Sequence, residues 1–252
     1  MHTHGQHSFT PGLVLALLVG SASLTMLGAQ APAPPAPAAP APAAQAPAAP
    51  RPPAATLSRP TTPTRAADAN GFLRRWLVLE PIRTNGQLTD SAVRTLVGTT
   101  HFPDQLTVIP RDGDTVAVGD ATLKWHALDT SLYNVNLYHF AYALNKPTSN
   151  VLFWAVTVVQ VPREMTNVRL AIGSNAASVW WVNGQEVITL VNDRQAVVDD
   201  GVSNRLTLKA GANVIRAAVI NAGGATDFCA RLLDANDQPI TSVSVSLPTG
   251  SK

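Results

Sequence analysis

Beyond the first ten residues the chain carries three histidines, His101, His126 and His139. No Gly-x-Ser-x-Gly elbow accompanies them, and Gly173-Ser174-Asn175 is a single serine beside a glycine. Because His139 is the last histidine, the Ser…Asp…His order of α/β-hydrolases cannot be built on any late serine. A convergent triad on His101, His126 or His139 is allowed by geometry, but no spacing marks one. The same three residues are too scattered for zinc-ligand spacing. Cys229 is the only cysteine, so an intramolecular disulfide is impossible. It lies in Phe228-Cys229-Ala230-Arg231-Leu232, which reads as a strand with a buried, inert thiol. No catalytic residue is assigned.

Recognition chemistry is better represented. A sugar needs an aromatic face for its C–H surface and a few polar side chains for its hydroxyls. Trp180 and Trp181 are neighbours in a strand-like run, so their side chains must point to opposite faces. One is expected in the core and the other outside or at the sheet edge, where it can meet a ligand or pack on a cross-strand partner. The polar candidates for ligand binding are Asn183, Arg194, Asp199, Asp200, Asn221 and Asp227. Arg194 opposite Asp199 or Asp200 also reads as a solvated ion pair of little energetic worth. Asp112, Asp114, Asp199 and Asp200 supply the hard oxygens that calcium needs, and Asp112-Gly113-Asp114 and Asp199-Asp200-Gly201 are equally good turns. No other cofactor is indicated.

The elements that must position these residues are mostly strands. Phe72–Leu79 is strand-like and stops at Pro81. Asp90 is read as the N-cap of a short helix through Val93 and Leu96 that ends at Gly98, the one helix expected. Leu137–Leu144 is an aromatic-rich run ending before Pro147. Val151–Val159 is continuous, apolar and β-branched, as for a central strand covered on both faces. Val168, Leu170 and Ile172 alternate as in a half-buried strand. Asn183-Gly184 between two apolar runs calls for a two-residue type I′ hairpin, in which both turn residues take positive φ. Further strands are expected at Arg205–Leu208, Val214–Ile220, Phe228–Leu233 and Val243–Leu247. Many short strands with turns about every ten residues predict an all-β antiparallel sandwich.

Residues 167–240 resemble the galactose-binding-like jelly rolls that accompany extracellular glycoside hydrolases. The resemblance rests on Gly173-Ser174-Asn175, the Trp181-Val182-Asn183-Gly184 hairpin with Glu186-Val187, the Leu208–Asn213 turn and the strand from Val214 into Asn221. Trp76-Leu77-Val78-Leu79-Glu80-Pro81 is similar to the Trp-x-Val-Leu-Gly-Pro opening of those sandwiches, with Glu80 in place of the glycine. The resemblance implies a jelly roll, a calcium site in a loop, and the Asn192–Gln195 and Asn221–Asp227 segments at one end of the sandwich. The whole chain is also similar to exported bacterial proteins labelled acetylxylan esterase, a likeness that no catalytic motif carries. Jelly rolls host sugar binders, protein binders and spacers alike.

Composition bounds the remaining classes. From Ala69 onward fifteen Lys or Arg face fifteen Asp or Glu, and the basic surplus sits at Arg51, Arg59 and Arg65. No clustered positive stripe marks a nucleic-acid binder. Pro11–Ala31 is apolar and ends in Ala29-Gln30-Ala31, as in an export signal. The n-region has only His2, His4 and His7, and Pro32 follows Ala31, so an uncleaved membrane anchor is the alternative. Residues 32–68 then form a Pro/Ala-rich tether, expected to be extended polyproline II. Residues 69–252 are expected to be the sandwich. The reading is a secreted or periplasmic, non-catalytic module for polysaccharide or oligosaccharide. A carbohydrate esterase and a structural or protein-interaction domain of the envelope are the alternatives.

Overall fold

The β-branched run in the middle of the chain organises the whole molecule. In the computed structural model, which describes residues 56–248, the strands are β1 (Leu57–Ser58), β2 (Thr64–Ala66), β3 (Arg75–Leu79) and β4 (Ile82–Arg83). After helix α1 (Asp90–Gly98) come β5 (Thr115–Val118), β6 (Ala121–Thr130) and β7 (Val135–Asn136). Helix α2 (Leu137–Ala143) leads to β8 (Val151–Val161), β9 (Met165–Ser174), β10 (Ala177–Val182) and β11 (Gln185–Leu190). The chain finishes with β12 (Gly201–Val202), β13 (Leu206–Leu208), β14 (Gly211–Asn221), β15 (Asp227–Leu233) and β16 (Ser244–Ser246).

Two antiparallel sheets stack into a sandwich. The larger runs β1-β6-β3-β8-β14-β10-β11, and the smaller runs β12-β9-β15-β7. β8 and β14 pair over eleven residues, from Gly211↔Val161 to Asn221↔Val151. This pairing forms the spine. The expected all-β antiparallel sandwich is therefore what the chain forms. The export signal or anchor expected at 1–31, and the tether up to residue 55, lie outside the described residues.

Alternation along the spine builds two cores rather than one. Phe153, Ala155, Ala217, Val219 and Trp180 face the smaller sheet and pack with Ile172, Phe228 and Leu232. Trp154, Val156, Ala218, Ile220 and Trp181 face the other way and pack with Val93, Val97, Phe102 and Trp125. That outer face is covered by α1 and by the segment that follows it. β8 is buried on both faces because a third layer lies over the larger sheet.

Three local expectations are corrected. Thr89, not Asp90, caps α1, its hydroxyl accepting from the Ala92 amide, and Asp90 occupies the first turn, where its charge suits the helix dipole. Leu137–Ala143 is a second helix rather than a further strand-like run. Its buried residues Leu137, Phe140 and Ala141 are spaced three and four apart, and Asn136 caps it by accepting from the His139 amide at 2.7 Å. Two short strands also precede residue 69: β1 pairs with β6 and β2 with β16. The Asn183-Gly184 hairpin forms as expected, with φ of 51° and 82°.

Candidate functional site

The eight residues expected to bind ligand do not converge. Trp180 and Trp181 do point to opposite faces, but both are buried, at 0% and 6% exposure. Trp180 packs edge-on against Trp76 and Phe228, at 6.0 and 5.3 Å between ring centroids, and donates its indole N–H to Ser178 Oγ at 3.0 Å. Trp181 stacks on Trp154 at 5.7 Å in the outer core. The expectation of one surface tryptophan fails because the larger sheet is covered on its second face as well. Neither ring is open to a sugar.

The polar candidates fall into separate places. Asn183 sits at one end of β14, where its amide donates to Asn213 Oδ1 at 2.9 Å and accepts from the Val214 amide at 2.8 Å. Asn221 lies at the other end of that strand, donating to Thr148 O at 2.7 Å and accepting from the Gly223 amide. Eight residues of strand separate Asn213 from Asn221, roughly 27 Å at about 3.4 Å per residue. Arg194 pairs with Asp200, and Asp199 pairs with Arg231. Asp227 lies close to the Arg194 backbone through Asn175, which bonds both the Arg194 and the Asp227 amides. Of the four carboxylates considered for calcium, Asp112 accepts from the Ala127 amide and Asp114 from the Arg111 amide, so turn geometry employs both. Among the described residues no three His, Cys, Asp or Glu side chains come together as a metal-binding group.

Gly173 shows why the 192–200 segment lies where it does. A Cβ at this position would stand 2.1 Å from Val197 O, so only glycine lets that loop close over β9. Cys229, paired with Gly173 across β15 and β9, is 4% exposed. Burial pushes its thiol up to about 11, as expected of an inert cysteine.

A different set of residues forms a cleft. β6 turns Lys124, His126 and Leu128 to one side, opposite the buried Leu123, Trp125 and Ala127. α2 brings His139, Phe140 and Leu144 against that side, and β1 lays Leu57 along its edge. The cleft holds about 380 Å³. Its floor is apolar (Leu57, Leu128, Phe140, Leu144), and its rim carries His126, His139, Lys124 and the Arg59–Asp112 ion pair, at 2.5 Å.

Glu80 organises one wall. Its Oε1 lies 3.3 Å from His126 Nε2, its Oε2 accepts from Lys146 Nζ at 2.9 Å, and the Lys124 amide donates to the same oxygen at 3.4 Å. Burial pushes the Glu80 carboxyl up, but the bonds from Lys146 and His126 outweigh it and hold the group below the usual range. The His126 ring meets Phe140 edge-on at 5.5 Å, so it is fixed on two sides.

A carboxylate holding an imidazole is half of a hydrolytic triad. Ser58 also lines the cleft, but its register partner is Asp129, and paired residues of antiparallel strands share a face. Leu57, opposite Thr130, faces the His126 side, so the Ser58 hydroxyl points away from it. Ser58 is therefore not placed as a nucleophile for His126, and the Glu80–His126 contact fixes one wall of the cleft. In the sequence, His126 and His139 stand only as scattered histidines, and nothing local to either marks the contact with Glu80.

Fold and cleft together define a β-sandwich with a small, mainly apolar recess rimmed by hydrogen-bonding groups. No protein-family model and no curated relative matches the sequence. Among solved structures, a PA14 sugar-binding domain from an RTX adhesin is similar at 11% identity and TM-score 0.43, over 70% of this chain and 100% of that one. The PA14 domain of the MpAFP antifreeze protein is similar at 15% identity and TM-score 0.41, over 69% and 91%. A β-glucosidase from Kluyveromyces marxianus matches at 16% identity and TM-score 0.33, over 49% of this chain and 16% of the enzyme. Likeness of this size assigns neither family nor ligand. The resemblance to proteins labelled acetylxylan esterase has no counterpart in these comparisons.

Proposed function

We propose that the chain is an exported carbohydrate-binding β-sandwich, presented on its Pro/Ala segment, and that it binds sugar in the cleft between β6 and α2. The observation that carries the reading is the composition of that cleft. Its volume, about 380 Å³, falls in the range of small-molecule sites, which pair apolar walls with a few fixed polar groups. Leu57, Leu128 and Leu144, each partly exposed, offer a surface for the C–H face of a pyranose, and His126, His139 and Lys124 stand at the rim to meet hydroxyls. Glu80 and Phe140 hold His126 in place before a ligand arrives, which lowers the ordering cost of binding.

Affinity-gel retention and glycan-array binding of the purified chain on xylans, galactans and related polymers test the proposal. Lys124→Ala removes an exposed donor from the cleft rim and is expected to weaken retention with little change in melting temperature. Retention unchanged in that variant, or absent on every glycan, removes the reading. Hydrolysis of acetylated xylan, lost in His126→Ala, would replace it with an esterase.

A further inference from the structure

Two arginines are buried in the larger sheet, and they are treated very differently. The Arg75 side chain is 1% exposed. Its guanidinium is fully occupied: Nε and Nη2 donate to the two oxygens of Asp129 at 2.7 and 2.8 Å, and Nη1 donates to Thr62 O at 2.7 Å. Arg216 is 2% exposed and makes one hydrogen bond, from Nη2 to Val108 O at 2.5 Å. Its Nη1 is buried with no partner, and among the described residues no carboxylate pairs with it.

The fold forces the charge into this position. Arg216 is opposite Trp181 on β14, so it faces the outer core beneath the segment that runs from Thr99 to Pro110. Burial lowers its pKa to about 10, so it stays cationic at neutral pH. A buried cation without a counter-charge is costly, and proteins pair such groups. Beside it lies a recess of about 200 Å³, lined by Leu106, Thr107, Asn183, Gly184 and Val214 together with Arg216 itself.

We propose that this recess is a carboxylate-binding site in which the ligand supplies the counter-charge that Arg216 lacks. A carboxylate entering between Thr107 and Gly184 meets a guanidinium already anchored by Val108 and shielded from water. Charge-assisted bonds are strongest in such surroundings. The recess is lined by residues quite different from those of the β6–α2 cleft, so the two proposals stand or fall separately. The carboxylate has two sources, a free small acid or a uronic-acid unit of a glycan.

Thermal melts of the purified chain in acetate, glucuronate and oligogalacturonate, against chloride at equal ionic strength, test this. The melting temperature is expected to rise saturably with the carboxylates and not with chloride. Arg216→Met should weaken the response roughly ten- to hundredfold. Thr107→Glu, which places a carboxylate in the recess covalently, should raise the melting temperature in chloride and abolish the response. Tighter binding of oligogalacturonate than of glucuronate identifies a glycan source, and equal binding identifies a free acid. No response in the wild-type chain, or the same response in Arg216→Met and Thr107→Glu as in wild type, overturns the proposal.

Discussion

Glu80 Oε1 lies 3.3 Å from His126 Nε2, and this contact joins the edge of β3 to the middle of β6 at the wall of the cleft. Lys146 closes the triangle from the segment after α2. One carboxylate thereby ties together three stretches of chain that are distant in sequence.

Glu80→Gln keeps the shape and removes the charge. Because the folded carboxyl is held below its ordinary 4.5, its contribution to stability is complete above that value and is lost as the pH falls through the lower folded pKa. The variant is expected to lose about 2 kcal/mol at pH 7 and progressively less below pH 4.5. Urea melts of both proteins from pH 3 to pH 8 measure the difference. A gap that does not narrow in acid would mean that the charge is not what stabilises this wall.

Asp227 has the opposite sign. Burial raises its pKa, although Asn134 donates to Oδ2 at 2.7 Å, and Oδ1 is buried without a partner. Ionising it therefore costs stability, a penalty that is absent below its ordinary 3.8 and complete above the raised folded value. Asp227→Asn should stabilise the protein by about 1 kcal/mol at pH 7 and leave it unchanged at pH 3. A destabilised variant at neutral pH would reverse the sign and identify Asp227 as a needed anion.

Trp180→Ala and Trp181→Ala each empty a large volume from a different core. Each is expected to cost about 3–5 kcal/mol, by lost transfer energy and cavity formation. Equilibrium denaturation measures both. If either variant kept wild-type stability, its ring would have to be exposed, contrary to the packing against Phe228 and Trp154.

Asp129→Asn strips the partner from the buried Arg75 while leaving Thr62 in place. Breaking such a pair leaves an uncompensated charge and should cost about 3 kcal/mol. The double variant Arg75→Met with Asp129→Asn should recover part of it, since neither charge then remains buried. A double variant no more stable than the single one would show that the pair contributes more than charge neutralisation.

Much of the sandwich was legible in the chain because strand signals are local. The β-branched run of β8, the alternation at Val168, Leu170 and Ile172, and the positive φ required at Asn183 and Gly184 each depend on a few neighbouring residues. The helix at Leu137–Ala143 was missed: its aromatic content resembles a strand and masked the Asn136 cap and the spacing of Leu137, Phe140 and Ala141.

Sequence alone determined that Trp180 and Trp181 must point apart, because side chains alternate along any strand. It could not determine that both would be buried, because that depends on α1 and the segment after it covering the second face of the larger sheet. Only the tertiary structure set Glu80 and Phe140 against His126 at the cleft and left Arg216 buried without a counter-charge. Both outcomes are set by register between strands far apart in the chain, and a pattern read along one strand carries no information about its partners.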